Sequence, residues 1–308
     1  MAPSSPITTI RALPPWALLC LVTAVSAAAL LAACGGSGGG SSPIPVATVT
    51  STAAPSPSSS PATTPTAAPS ATTTLSLYFL RGEALGVAER RVPQTTKPAT
   101  AALEALLAGP TADESAAGLT SAVPSGTRLL GLSIDGTTAR VDLSAQFATG
   151  GGSLSMQARV AQIVYTLTQF RTIKTVAFML EGRALDALGG EGLMLGEGQR
   201  RADWRGFEPA IFVERPGVGA VLTSPFTLAG TANVFEGSFA ARLVDGAGQS
   251  IVRAQVQASV GAPERGHFRV TLPFSTTAQS GTLVVFSQSM EDGSRQSEVR
   301  IPVSFALE

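Results

Sequence analysis

Leu130-Gly131-Leu132-Ser133-Ile134-Asp135-Gly136-Thr137-Thr138-Ala139-Arg140-Val141-Asp142-Leu143 decides the fold of the first structured part of the chain. Leu130, Leu132 and Ile134 alternate with small or polar residues, and Ala139, Val141 and Leu143 do the same after Asp135-Gly136. Period-2 alternation on both sides of an Asp-Gly turn predicts a β-hairpin. Downstream, Met156, Val160, Ile163, Val164 and Leu167 share one stripe of a helix, and Val176, Phe178 and Leu180 follow as a strand. Upstream, Pro98 opens a helix carrying Leu103, Leu106 and Leu107, and Gly109-Pro110 stops it. Leu75, Leu77 and Phe79 precede it as a strand, and residues 87–93 can return beside that strand. The spacing predicts an α+β domain over 75–206, with two helices packed on a small sheet.

The remainder, 207–308, changes character. Short apolar runs recur at 210–213, 226–231, 238–244, 250–258, 267–274, 282–289 and 298–305, with turn residues such as Asp245-Gly246 and Asp292-Gly293 between them. Such strands in about 100 residues predict an all-β, immunoglobulin-like β-sandwich. Its sheets must be held by apolar packing, because the two cysteines are Cys20 and Cys34, both far upstream.

Residues 1–33 read as a lipoprotein signal peptide. Arg11 precedes the apolar run Trp16 to Leu31, which is shorter than the ~20 residues a spanning helix needs. Leu31-Ala32-Ala33-Cys34 then looks like a bacterial lipobox, with small residues admitting a peptidase and the Cys34 thiol able to carry a diacylglycerol thioether. Cys34 is therefore the expected lipidation site and the first residue after cleavage. Two or three acyl chains suffice for stable anchoring, where a single chain is marginal. Residues 34–74 comprise this cysteine and a Gly/Ser/Pro/Thr tether without hydrophobic periodicity, which is expected to be disordered.

Composition limits the chemistry. Lys+Arg 21 balance Asp+Glu 21, and between Arg11 and Arg81 there is no charged residue at all. Basic residues are interspersed with acids, so the electrostatic footprint of a nucleic-acid binder is missing and no nucleic-acid partner is expected. His267 is the only imidazole, which leaves a single possible base for a nucleophilic triad. No catalytic, cofactor-binding or metal-ligating residues are identified, and no cofactor is expected. Two carboxylates would suffice for a glycosidase, but beyond the signal peptide the chain offers only Trp204, Tyr78 and Tyr165 as large amphipathic aromatics for a sugar platform.

Five blocks carry a resemblance: Glu104-Ala105-Leu106-Leu107-Ala108-Gly109-Pro110, Val123-Pro124-Ser125-Gly126-Thr127, Ala139-Arg140-Val141-Asp142-Leu143-Ser144, Tyr165-Thr166-Leu167-Thr168-Gln169-Phe170, and Val176 to Gly182. In this order they resemble the GerMN domain, found in lipoproteins linked to sporulation, germination and the cell envelope. That family implies a fold similar to the ring-building modules of envelope assemblies and supplies no catalytic residues to carry over. Pro216-Gly217, Ser224-Pro225, Gly230, Asn233-Val234-Phe235-Glu236-Gly237 and Gly281 to Phe286 resemble the immunoglobulin-like domain of bacterial spore germination. Arg140, Asp142, Arg159 and Gln162 are the polar residues to follow, read first as a solvated face or internal salt bridges. Glu236 reads as a turn residue before Gly237, with a contact role as the other option.

The resulting expectation is an extracytoplasmic protein held on the membrane by its N-terminal lipid. It would be a non-enzymatic module that assembles with an envelope protein partner, with a link to sporulation or germination. The alternative is an envelope glycan-binding protein or a carboxylate-based hydrolase.

Overall fold

Two long strands, β1 (Thr72–Arg81) and β2 (Ala84–Pro93), open the fold as an antiparallel ribbon. The computed structural model describes residues 71–306 apart from Gly190, Glu191 and Glu197; the signal segment, Cys34 and the tether up to residue 70 lie outside the described residues. β1 starts at Thr72, ahead of the expected Leu75, because Thr72 to Thr74 pair with Pro93 to Arg91. Helix α1 (Pro98–Leu107) begins at its proline, and Gly109 supplies the left-handed residue (φ +82°) after its end. A short helix α2 (Ala112–Ala116) follows, which the hydrophobic pattern did not announce. It rests on a capping box, with Glu114 N–H donating to Thr111 Oγ1 and Thr111 N–H donating to Glu114 Oε2.

The Asp-Gly hairpin is present as β3 (Leu129–Asp135) and β4 (Thr138–Leu143). Helix α3 (Ser153–Leu167) then crosses over to β5 (Thr175–Leu180), which pairs parallel to β4, as a helical crossover permits. A two-residue strand, β6 (Arg183–Ala184), completes the order β3-β4-β5-β6. Helices α1 and α3 pack on each other and on β1. Leu103 and Leu106 of α1 and Val160, Ile163, Val164 and Leu167 of α3 are buried in one cluster with Leu75, Leu77 and Phe79.

A small hairpin, β7 (Ala187–Leu188) and β8 (Leu193–Met194), and a 3-10 segment, Arg201–Phe207, lead into the second part. That part is the expected sandwich. One sheet has the order β14-β11-β9, from β9 (Ile211–Arg215), β11 (Phe226–Ala232) and β14 (Gly266–Leu272). The other has the order β10-β16-β15-β12-β13, from β10 (Val221–Leu222), β12 (Ser238–Asp245), β13 (Ser250–Gln257), β15 (Ser280–Gln288) and β16 (Arg295–Phe305). Phe239 and Phe268 meet edge-on between the sheets, ring centroids 4.9 Å apart. Gly230 is needed where β11 runs beside β9, since a Cβ there would lie 2.0 Å from the Phe212 carbonyl oxygen.

Segment 201–209 is anchored by two side chains. Trp204 and Phe207 are buried, and the apolar cluster runs without a break from the first part into Ile211, Phe212 and Val213 of β9.

Candidate functional site

Four titratable groups with shifted pKa values meet where the two parts join. Tyr78 comes from β1, Tyr165 from α3, Arg201 from the 3-10 segment and Glu214 from β9. Tyr78 O–H donates to Glu214 Oε1 at 2.7 Å, and Arg201 Nη1 donates to the same oxygen. Arg201 Nη2 also reaches Tyr78 Oη at 2.8 Å, and Nε reaches Thr168 Oγ1 at 2.8 Å. Its guanidinium carbon stands 5.0 Å and 4.6 Å from the Tyr78 and Tyr165 ring centroids, within cation–π range. Beside this group, Tyr165 O–H donates to Glu208 Oε1 at 2.6 Å, and Glu208 pairs with Arg265 at 3.0 Å.

Burial raises the pKa of both tyrosines, Glu214 adding to it at Tyr78 and Glu208 at Tyr165, so both hydroxyls stay protonated donors. Burial also pushes the Glu214 carboxyl up, but the Arg201 charge and the hydrogen bonds from Arg201 and Tyr78 outweigh it, and the net shift is down. Every charged side chain in this network has an opposite partner, so its chemistry is that of a clamp. The backbone joins too: Glu89 N–H donates to Val218 O and Val218 N–H to Val87 O, each at 2.8 Å. The carboxyl whose pKa is raised, Glu89, owes this to burial and accepts the Gly217 N–H at 3.0 Å.

The polar residues followed from the sequence separate into two kinds. Arg159 is 1% exposed and stands without a carboxylate partner among the described residues. Its guanidinium donates to the carbonyls of Phe147, Thr149 and Gly150 and to Ser155 Oγ, tying the 147–150 loop to α3. Gln162 is also buried, accepting the Ala122 N–H at 2.8 Å and donating to Tyr78 O at 3.2 Å. Arg140 and Asp142 lie on β4; Arg140 makes an exposed 3.5 Å pair with Asp135, and Asp142 accepts the Gly182 N–H at 3.0 Å. His267 is exposed on β14. Among the described residues no group of three or more His, Cys, Asp or Glu could hold a metal ion, and no helix is long and apolar enough to cross a membrane.

The open face lies elsewhere. β3 is an edge strand of its sheet, and alternation places Leu130 and Ile134 on its apolar face. They are 45% and 48% exposed, because α1 covers only part of that face. Between β3 and α1 a groove of about 480 Å³ is lined by Pro98, Leu130, Leu132, Ile134, Phe170 and Ile173, with Lys97 and Glu104 among its polar residues. A neighbouring hollow of about 850 Å³ shares Glu104 and Leu129 and extends to Leu107, Val123 and Arg128. The β3–β4 register slips between Leu129 and Gly131, a bulge of the kind that turns an edge strand away from further pairing. Periodicity found the strand; it could not show that the strand's apolar face would be left uncovered.

Residues 76–186 match the family model described as sporulation and spore germination. Residues 210–294 match the model of the immunoglobulin-like domain of bacterial spore germination. No curated protein matches. Among solved structures, the tandem GerMN domains of the sporulation protein GerM from Bacillus subtilis are 19% identical, with a TM-score of 0.39, over 67% of this chain and 63% of that one. The chain thus spans less than two thirds of that tandem structure. The first GerMN domain of the same protein is 24% identical, with a TM-score of 0.36, over 42% of this chain and 99% of that one. A candidate lipoprotein from Clostridium perfringens is 21% identical, with a TM-score of 0.32, over 44% of this chain and 93% of that one.

Proposed function

We propose that this chain, which carries a GerMN-type domain over 76–186 and an immunoglobulin-like domain of the spore-germination type over 210–294, is a membrane-anchored assembly module of the cell envelope. Cys34 carries the lipid, the residues up to 70 form the tether, and the folded part works outside the cytoplasm by contact with a protein partner rather than by turnover. One observation carries this reading: the groove beside β3 leaves Leu130 and Ile134 in water, while Glu214 and Glu208 at the junction are locked in pairs with Arg201 and Arg265. Apolar groups left open on a rigid surface mark contact sites, and paired buried charges mark structure.

The test places a photo-cross-linking residue at Leu130 or, as a control, at exposed His267, in the full-length protein in native membranes. A discrete adduct from position 130, lost when Leu132→Asp is added, supports the module. Equal labelling from both positions contradicts it, as does wall cleavage abolished by changing one carboxylate without unfolding the protein. Intact mass of membrane-extracted protein tests the anchor: a diacylglycerol-sized increment on a chain starting at Cys34 is expected, and an unmodified chain starting elsewhere ends that part of the proposal.

A further inference from the structure

A second cleft, of about 420 Å³, lies at one pole of the sandwich, independent of the β3 groove. Its size falls in the usual ~300–1,000 Å³ range of ligand sites. Four neighbouring strands contribute to it: Gln296 from β16, Ser287 and Gln288 from β15, Ser238 from β12 and Gln255 from β13. The turn residues Asn233 to Glu236 form a wall, and Met290 lines it as well.

Phe235 is 60% exposed and Met290 80% exposed on this cleft, which is an unusual place to leave two large apolar groups. The turn that presents Phe235 is pinned. Gly237 N–H and Ala262 N–H both donate to Val234 O at 2.9 Å, Gln257 Nε2 donates to Glu236 O at 2.6 Å, and Asn233 Nδ2 donates to Pro263 O at 3.2 Å. Strain gathers here as well. Among the described residues three non-glycine positions have left-handed backbone, and two of them, Glu236 and Ser297, both at φ +52°, line this cleft. Ser297 sits where the β15–β16 register shifts, and bulges of this kind re-aim side chains beside binding sites.

The chemistry of the lining selects the ligand. Glu236 is its one charged side chain, and the amides of Gln288 and Gln296 have no hydrogen-bond partner among the described residues. Each amide offers both donors and acceptors, which suits a ligand dense in uncharged hydroxyl and amide groups. Phe235 supplies a flat apolar surface for the C–H face of a sugar ring, and Met290 a soft contact for a methyl group. An added peptide strand fits less well. β12 and β15 have partners on both sides, and the edge strand β13 adds only Gln255 to the lining. We infer that this cleft binds a neutral, N-acetylated amino-sugar chain. The sequence points away from a sugar platform because it offers only Tyr78, Tyr165 and Trp204 as large amphipathic aromatics; all three are buried, and the platform here is a phenylalanine.

The experiment titrates tetra-N-acetylchitotetraose onto the detergent-solubilised full-length chain, followed by saturation-transfer NMR and calorimetry. Saturable binding is expected, with transfer to ring and N-acetyl protons, weakened about tenfold by Phe235→Ala. Gln288→Ala should weaken it as well, while the unfolding midpoints of both variants stay at the parent value because both side chains are exposed. Three results would overturn the inference: no saturation up to about 10 mM, equal binding by Phe235→Ala, or displacement of the sugar by an uncharged peptide at lower concentration.

Discussion

The junction and the β3 groove differ in what they leave without a partner. At the junction, two tyrosines, two arginines and two glutamates are drawn together from β1, α3, the 3-10 segment, β9 and the loop before β14, and each polar end finds a partner. Beside β3, Leu130 and Ile134 stay nearly half exposed. The contrast separates the unusual features that hold the two parts together from those that are free to touch something else. A perturbed pKa is a clue to function only where the group is accessible and incompletely paired.

The largest expected effect lies at the junction. Arg201→Ala leaves Glu214 beside Tyr78 without its cation and should cost about 3 kcal/mol in urea unfolding of the full chain. Replacing both partners, Arg201→Met with Glu214→Leu, should recover most of that loss, since two matched apolar groups avoid the orphaned charge. A double variant as unstable as the single one would show that the clamp depends on the charges themselves.

Next comes Arg159→Met, expected to cost about 2 kcal/mol by leaving the Phe147, Thr149 and Gly150 carbonyls without their donor. Hydrogen exchange should rise in the 147–152 loop and leave the junction unchanged. Faster exchange at the junction as well would mean that the two regions are coupled.

Acid provides the third test. Glu214 and Glu114 both have folded pKa values below the ordinary carboxylate range. At each, burial pushes upward, while arginine pairing (Arg201 or Arg90) and hydrogen bonds, including the Thr111 N–H at Glu114, push down further. A depressed folded pKa contributes stability that is complete above the unfolded value of about 4.3 and is lost as pH falls through the folded one. The contribution of these two groups to the urea midpoint should therefore be level between about pH 7 and 5 and decline below about 4.5, while Glu89, whose pKa burial raises, adds stability as pH falls toward the unfolded value. Glu214→Gln should make that decline shallower; an unchanged slope would remove Glu214 from the account.

The smallest effect on stability is expected in the groove, where it sharpens the contrast most. Leu130→Asp should change unfolding by no more than about 0.5 kcal/mol, because the side chain is already nearly half exposed. A loss of several kcal/mol would make Leu130 a core residue.

Much of this architecture was legible in the sequence because local signals agreed with the final packing. Asp135-Gly136 made its hairpin, Pro98 and Gly109-Pro110 bracketed α1, and the seven apolar runs of the sandwich all became strands. Tertiary features were harder to read. α2 depends on two side-chain hydrogen bonds at Thr111 and Glu114 with hardly any apolar stripe, so periodicity passes over it. The junction joins residues separated by as many as 136 positions, Tyr78 and Glu214, and no spacing rule reaches that far. Arg159 and Gln162 were noticed as polar residues on a helix; only the fold shows that both point inward. The same limit applies to the groove, since β3 reads as a strand with an apolar face whether or not a helix covers that face.

The central claim is that partners meet the molecule at β3 and α1 while the junction stays closed. Hydrogen–deuterium exchange on the full-length protein, in native membranes and after purification in detergent, tests it directly. The account predicts slower exchange in membranes over 98–107 and 129–135, with no difference over 201–215. Identical exchange over the groove in both states, or protection confined to 201–215, would contradict it.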